Sequence, residues 1–99
     1  MQVYELKHHL GDKDRYTGVL AEFARTKVIQ LRLAAGAEIR EHRTSDDVLI
    51  VVLKGRVVFR FGEKKAELGP YRLLHIPPDE PHSLRAIEDL EALLIRIGR

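Results

Sequence analysis

A chain of 99 residues, 44% hydrophobic and 32% charged, is long enough for one compact domain and too rich in apolar side chains for disorder. Its 17 Lys and Arg stand against 15 Asp and Glu, a net charge of +2, and the basic residues form no run. With only three Tyr and three Phe there is no stacking platform, so no nucleic-acid partner is expected, and the absence of cysteine excludes disulfides, thiolate metal sites and cysteine nucleophiles.

The first residues, Met1-Gln-Val-Tyr-Glu, lack the basic, apolar and small-residue succession of a signal peptide. The longest apolar run, residues 48–53, is too short to span a bilayer. The expectation is therefore a cytoplasmic protein with no membrane partner.

In chain order, Val3, Tyr4 and Leu6 predict a short first strand, and Gly11-Asp-Lys-Asp a turn. Residues 16–24 fit either a helical face (Val19, Leu20, Phe23) or an irregular edge strand. Residues 27–33 alternate cleanly, with Ile29, Leu31 and Leu33 on one face, and predict a half-buried strand. Ala34-Ala-Gly36 turns the chain and residues 38–42 return as a strand. Residues 48–53 are short, apolar and rich in β-branched side chains, which predicts a strand buried on both faces. Lys54-Gly55 connects it to residues 56–61, where Val57, Phe59 and Phe61 share a face. Gly62-Glu-Lys-Lys is a hairpin turn and residues 66–68 the return. Gly69-Pro70 breaks that strand, and residues 72–76 form another, stopped by Pro77-Pro78. Residues 83–87 and 92–97 are the last two, joined at Glu88-Asp89. Eight to ten short strands with turns every eight to ten residues predict an antiparallel β-sandwich or barrel, and no βαβ rhythm is present.

Neutral imidazole is the commonest side-chain ligand for zinc, iron, nickel and copper. Of the five histidines (His8, His9, His42, His75, His82), His42 ends a strand before a polar turn and His82 follows Pro81 directly before a strand. Read singly, each is a strand-end histidine. Arg40, Arg56, Arg60 and Arg96 fall on strands, and an arginine facing the inside of a barrel favours a carboxylate or phosphate ligand. No serine lies in a nucleophile-elbow context. No helix follows the glycines to form a phosphate loop.

Two segments together resemble the two motifs of the cupin superfamily. Gly36, five residues and His42 match the start of the first motif, and Gly55 matches its closing glycine. In the second, Pro77, Asp79 in the usual glycine place, and His82 match. The resemblance covers residues 29–97. It implies an all-β jelly-roll barrel, a double-stranded β-helix, as one domain over residues 1–99, with residues 1–26 an arm with extra strands and 27–97 the barrel. It also implies a homodimer.

The departures are specific. Thr44 stands where the motif has its second histidine and Val48 where it has its glutamate. Asp47, one residue earlier, points to the opposite face of a regular strand and would serve only through a bulge. The resemblance then implies a small-molecule pocket around His42, His75, His82, Thr44 and Val48. Its metal alternative is a divalent ion (Zn, Fe, Ni, Mn or Cu) on His42, His82 and a tentative His75. Two histidines alone hold such an ion weakly, because catalytic sites supply about three protein ligands. The functional expectation is a small-molecule-binding cupin of unassigned activity. Its alternative is a metal-dependent enzyme of dioxygenase or isomerase type, in which a histidine moves a proton.

Overall fold

The computed structural model describes residues 1–7 and 13–98. His8, His9 and the start of the turn expected at Gly11-Asp12 lie outside the described residues. Nine strands are present among the described residues: β1 (Arg15–Phe23), β2 (Thr26–Leu33), β3 (Glu38–His42), β4 (Asp47–Lys54), β5 (Val57–Phe61), β6 (Lys64–Leu68), β7 (Leu73–Ile76), β8 (His82–Ala86) and β9 (Leu90–Ile97). They form a five-stranded sheet, β1-β2-β9-β4-β7, facing a four-stranded sheet, β3-β8-β5-β6. All pairings are antiparallel. This is the expected all-β jelly roll.

Alternation decides what fills the space between the sheets. Leu31 and Leu33 on β2, Val48, Ile50 and Val52 on β4, Val57 and Phe59 on β5, and Leu84 and Ala86 on β8 are all buried in one cluster. Each set is spaced by two, so each strand turns one face inward. The same spacing puts Leu90 and Ala92 of β9 inside.

Two expectations are corrected and one open alternative is settled. Residues 1–7 form no strand, although the arm is tied down at Lys7, whose backbone N–H donates to Gln30 Oε1 and whose carbonyl accepts from Gln30 Nε2. Of the helix and edge-strand alternatives for residues 16–24, the strand holds, as Arg15–Phe23; a register shift between Val19 and Ala21 inserts one extra residue, which breaks the two-residue period and mimics a helical spacing. Residues 48–53 are not buried on both faces: Leu49 and Val51 are half-buried and Leu53 is exposed on the outer side.

Two tight places shape the connections. Gly55 adopts φ +88°, and a Cβ there would overlap the carbonyl oxygen of Asp89. Asp79, in the place where the motif carries glycine, adopts φ +64°. Its N–H donates to the Thr44 carbonyl at 2.8 Å, so the β7–β8 turn is fastened to the β3–β4 loop. Aspartate tolerates this left-handed backbone better than most residues, yet glycine does so without a Cβ penalty. Asp79→Gly is therefore expected to be neutral or stabilising by up to about 1 kcal/mol, and Asp79→Val destabilising by about 1–2 kcal/mol. Urea midpoints of the two variants check this; equal midpoints would remove the backbone argument.

Candidate functional site

His42 and His82 are brought together by strand register. They sit directly opposite each other on β3 and β8. Ile39 and His42 are three residues apart and would lie on opposite faces of an unbroken strand. The register shift between them adds one residue to β3, so that both face the interior. On β8, His82 and Leu84 face inward without any irregularity.

The two imidazole centroids are 4.4 Å apart, with ring planes at 59°. His82 is buried, only 4% exposed, beside Phe59 and Phe61, whose ring centroids are 6.4 and 6.2 Å away. His42 is the more exposed member. Each ring is anchored identically: Nδ1 of His42 lies 2.9 Å from the Arg40 carbonyl, and Nδ1 of His82 lies 2.9 Å from the Glu80 carbonyl. A carbonyl only accepts, so each Nδ1 carries the proton and donates. In the neutral ring the remaining nitrogen, Nε2, is left with its lone pair.

Burial pushes the His82 imidazole below its usual value of 6.5; the Glu80 carbonyl works against this, and His42 adds to it. Glu80 in the turn before β8, whose charge raises the value, and His42 on β3 are the titratable groups acting on it. The sign follows from linkage. A histidine with a lowered folded value binds its proton first in the unfolded chain, so the stability it contributes is present above about pH 6.5 and is lost as pH falls toward the folded value. Wild type is expected to lose stability between about pH 7.5 and 5.5, and His82→Gln to lose less. Urea denaturation across that range measures it; parallel curves would exclude His82 as the source.

Both histidines line a cavity of about 600 Å³ between the sheets. Its walls are largely apolar: Ile29, Ile39, Ile50, Phe59, Leu84 and Leu94. The polar lining comes from His42, His82, Thr17, Thr44, Arg43 and Arg96, and no carboxylate is among the lining residues. Val48 and Thr44 line it too.

His75 does not join them. Its neighbour Ile76 faces the core, so His75 points out of the barrel, with its side chain half exposed. There Nε2 meets Asp47 Oδ1 at 2.8 Å. The flanking leucines hid this outward direction from sequence reading. The same contact corrects the idea that Asp47 replaces the motif glutamate: β4 carries no bulge at that point, and Val48 faces inward while Asp47 turns to His75.

Arg96 was visible only as one of four strand arginines. It stands opposite Val48 in the β4–β9 register and therefore shares its inward face. Its Nη2 donates to Thr44 Oγ1 at 3.1 Å, and its Nε donates to Asp46 Oδ2 at 3.1 Å. The alternation Leu90, Ala92, Leu94, Arg96 was the signal that could have found it. Arg56 pairs instead with Glu67, and Arg40 and Arg60 line a shallow depression outside the four-stranded sheet.

The sequence of residues 30–98 matches the Cupin_2 family, a cupin domain. This chain is a cupin. None of the curated proteins matches it in sequence. Among solved structures it is similar to an RmlC-like cupin protein from Desulfovibrio desulfuricans, at 24% identity and a TM-score of 0.84, over 98% of this chain and 96% of that one. A cupin superfamily protein from Desulfitobacterium hafniense superposes with a TM-score of 0.82 at 21% identity, covering 95% and 84%. An RmlC-like cupin with a double-stranded β-helix fold from Methanocaldococcus jannaschii gives 0.81 at 16%, covering 99% and 91%. At these identities the likeness establishes the fold alone.

The cupin motif implies a metal, and the donors in this barrel do not fit one. Two imidazoles converge, and among the described residues no group of three His, Cys, Asp or Glu side chains could hold an ion. The two remaining motif positions carry a hydroxyl and an isopropyl group, and a guanidinium contacts the hydroxyl. Arg96 occupies the Thr44 hydroxyl and is itself paired with Asp46, so neither motif position offers a free donor to an ion.

Proposed function

We propose that this cupin binds a small organic molecule in its barrel without a resident metal. The observation that carries the reading is the cavity of about 600 Å³, apolar in most of its lining, with the two oriented imidazoles in its wall. A concave apolar site with a few placed polar groups is the usual form of a small-molecule pocket. The bare Nε2 atoms accept hydrogen bonds from a hydroxyl or N–H of the ligand. The metal-dependent dioxygenase or isomerase reading would need a third donor beside His42 and His82, and His75 is turned away from them.

The test is a fragment screen by amide-shift NMR in the presence of a chelator. Binders are expected to move the signals of His42, Thr44, His82 and Leu84 together. Shifts confined to the outer surfaces, or binding that appears only on adding metal, would sink the reading.

We also propose a homodimer. The outer face of the five-stranded sheet carries Leu49, Val51, Leu73, Leu93 and Ile95 as neighbours in register, an apolar patch that stays partly open in the single chain. A second copy supplies an identical patch across a two-fold axis. Light scattering is expected to give twice the chain mass of 11.4 kDa, and Val51→Lys to give one. A monomeric wild type at tens of micromolar would end this proposal.

A further inference from the structure

The two motif positions that carry no metal-ligating side chain have a partner in common. Thr44 and Val48 both adjoin Arg96: Val48 is its cross-strand partner, and Thr44 Oγ1 accepts from its Nη2. Asp46 fixes the guanidinium from the other side, with Oδ2 at 3.0 Å from Nη2 and 3.1 Å from Nε. Asp46 does not line the cavity and Arg96 does, so the ion pair presents its positive end inward. Nη1 makes no hydrogen bond to a described side chain or backbone group, and both of its hydrogens are available. Thr44 Oγ1 already accepts from the Asp46 N–H as well as from Arg96, which leaves its own hydrogen to donate. Arg43 adds a second cation to the lining.

We infer that the ligand is a small organic acid whose carboxylate meets Arg96 Nη1 and the Thr44 hydroxyl. The inference rests on the small-molecule reading above and names its chemical class. A charge-assisted hydrogen bond is stronger than a neutral one. The apolar body of the acid lies against Ile39, Ile50, Phe59 and Leu94. An amine is disfavoured, because among the described residues the charged side chains of the lining are Arg43 and Arg96.

The test uses three probes with one hydrocarbon chain: hexanoate, hexanol and hexylamine, titrated calorimetrically in excess EDTA. Hexanoate is expected to bind at least about 10-fold tighter than hexanol, the scale of a charge-assisted hydrogen bond, and hexylamine weakest. Arg96→Met is expected to weaken hexanoate by at least about 10-fold and to leave hexanol within about 2-fold. Arg96→Lys keeps the charge but not the fork and should fall between, which guards against a poorly folded methionine variant. Hexanol binding as tightly as hexanoate, or an unchanged hexanoate affinity in Arg96→Met, would overturn the inference while leaving the pocket intact. Failure of all three probes would overturn it together with the small-molecule reading. Hexanoate binding that appears only when EDTA is left out would return the charge to a metal.

Discussion

Replacing Phe59 with alanine is expected to destabilise this cupin by about 3–5 kcal/mol, the usual range for a large aromatic removed from a close-packed core. Phe59 is 1% exposed and lies in the middle of β5, where its ring meets Phe61 at a centroid distance of 6.3 Å and His82 at 6.4 Å. Its backbone pairs with Leu84 on one side and Ala66 on the other, so the strand cannot move to fill the void. The same ring also walls the cavity. Removing it joins the void to the cavity and lets water reach His82, which weakens the burial that now holds the imidazole below its usual value. Two readouts follow. The urea midpoint falls sharply, and the His82 titration followed by NMR moves upward. A large stability loss with an unmoved His82 titration would mean that Phe59 supports the core but not the site. Phe59→Leu, which keeps most of the volume, is expected to cost less than half as much.

The strands were legible because their inward residues repeat every two positions, and β2, β4, β5 and β8 appeared where alternation or an apolar run was uninterrupted. What escaped depends on breaks in that period. The bulge in β1 made residues 16–24 read as helix or strand, and the shift in β3 is what turns His42 inward beside Ile39. Neither irregularity leaves a residue signature that a single sequence displays. His42 and His82 were singled out by the resemblance to the two cupin motifs, not by periodicity. His75 was misplaced because Leu73 and Leu74 flank it on both possible faces, and only the burial of Ile76 settles its direction. Arg96 belonged to the inward series of β9, but its meaning came from partners 50 and 52 residues away, Asp46 and Thr44.

Gly55→Val is expected to be the most damaging single change at a motif position, at roughly 3 kcal/mol or more. Two penalties combine there. A β-branched residue at φ +88° costs about 1–2 kcal/mol from backbone sterics alone. Its Cβ would also overlap the Asp89 backbone carbonyl, which cannot rotate away as a side-chain end could. Asp89 is fixed in turn, because its Oδ1 accepts from the Ala35 N–H at 2.9 Å. Gly36 separates the two penalties: it has the same φ of +88°, but nothing lies within 4 Å of its hypothetical Cβ. Gly36→Val should therefore show the conformational cost alone, and the difference between the two variants measures the clash. Equal midpoints would mean that the β8–β9 turn yields freely. The comparison bears on function because Gly36 and Gly55 keep their motif places while Thr44 and Val48 do not. The glycines secure the turns that close the barrel, and folding requires them whatever the barrel holds. The ligand positions answer only to the chemistry of the cavity, whose lining holds a guanidinium as well as two imidazoles.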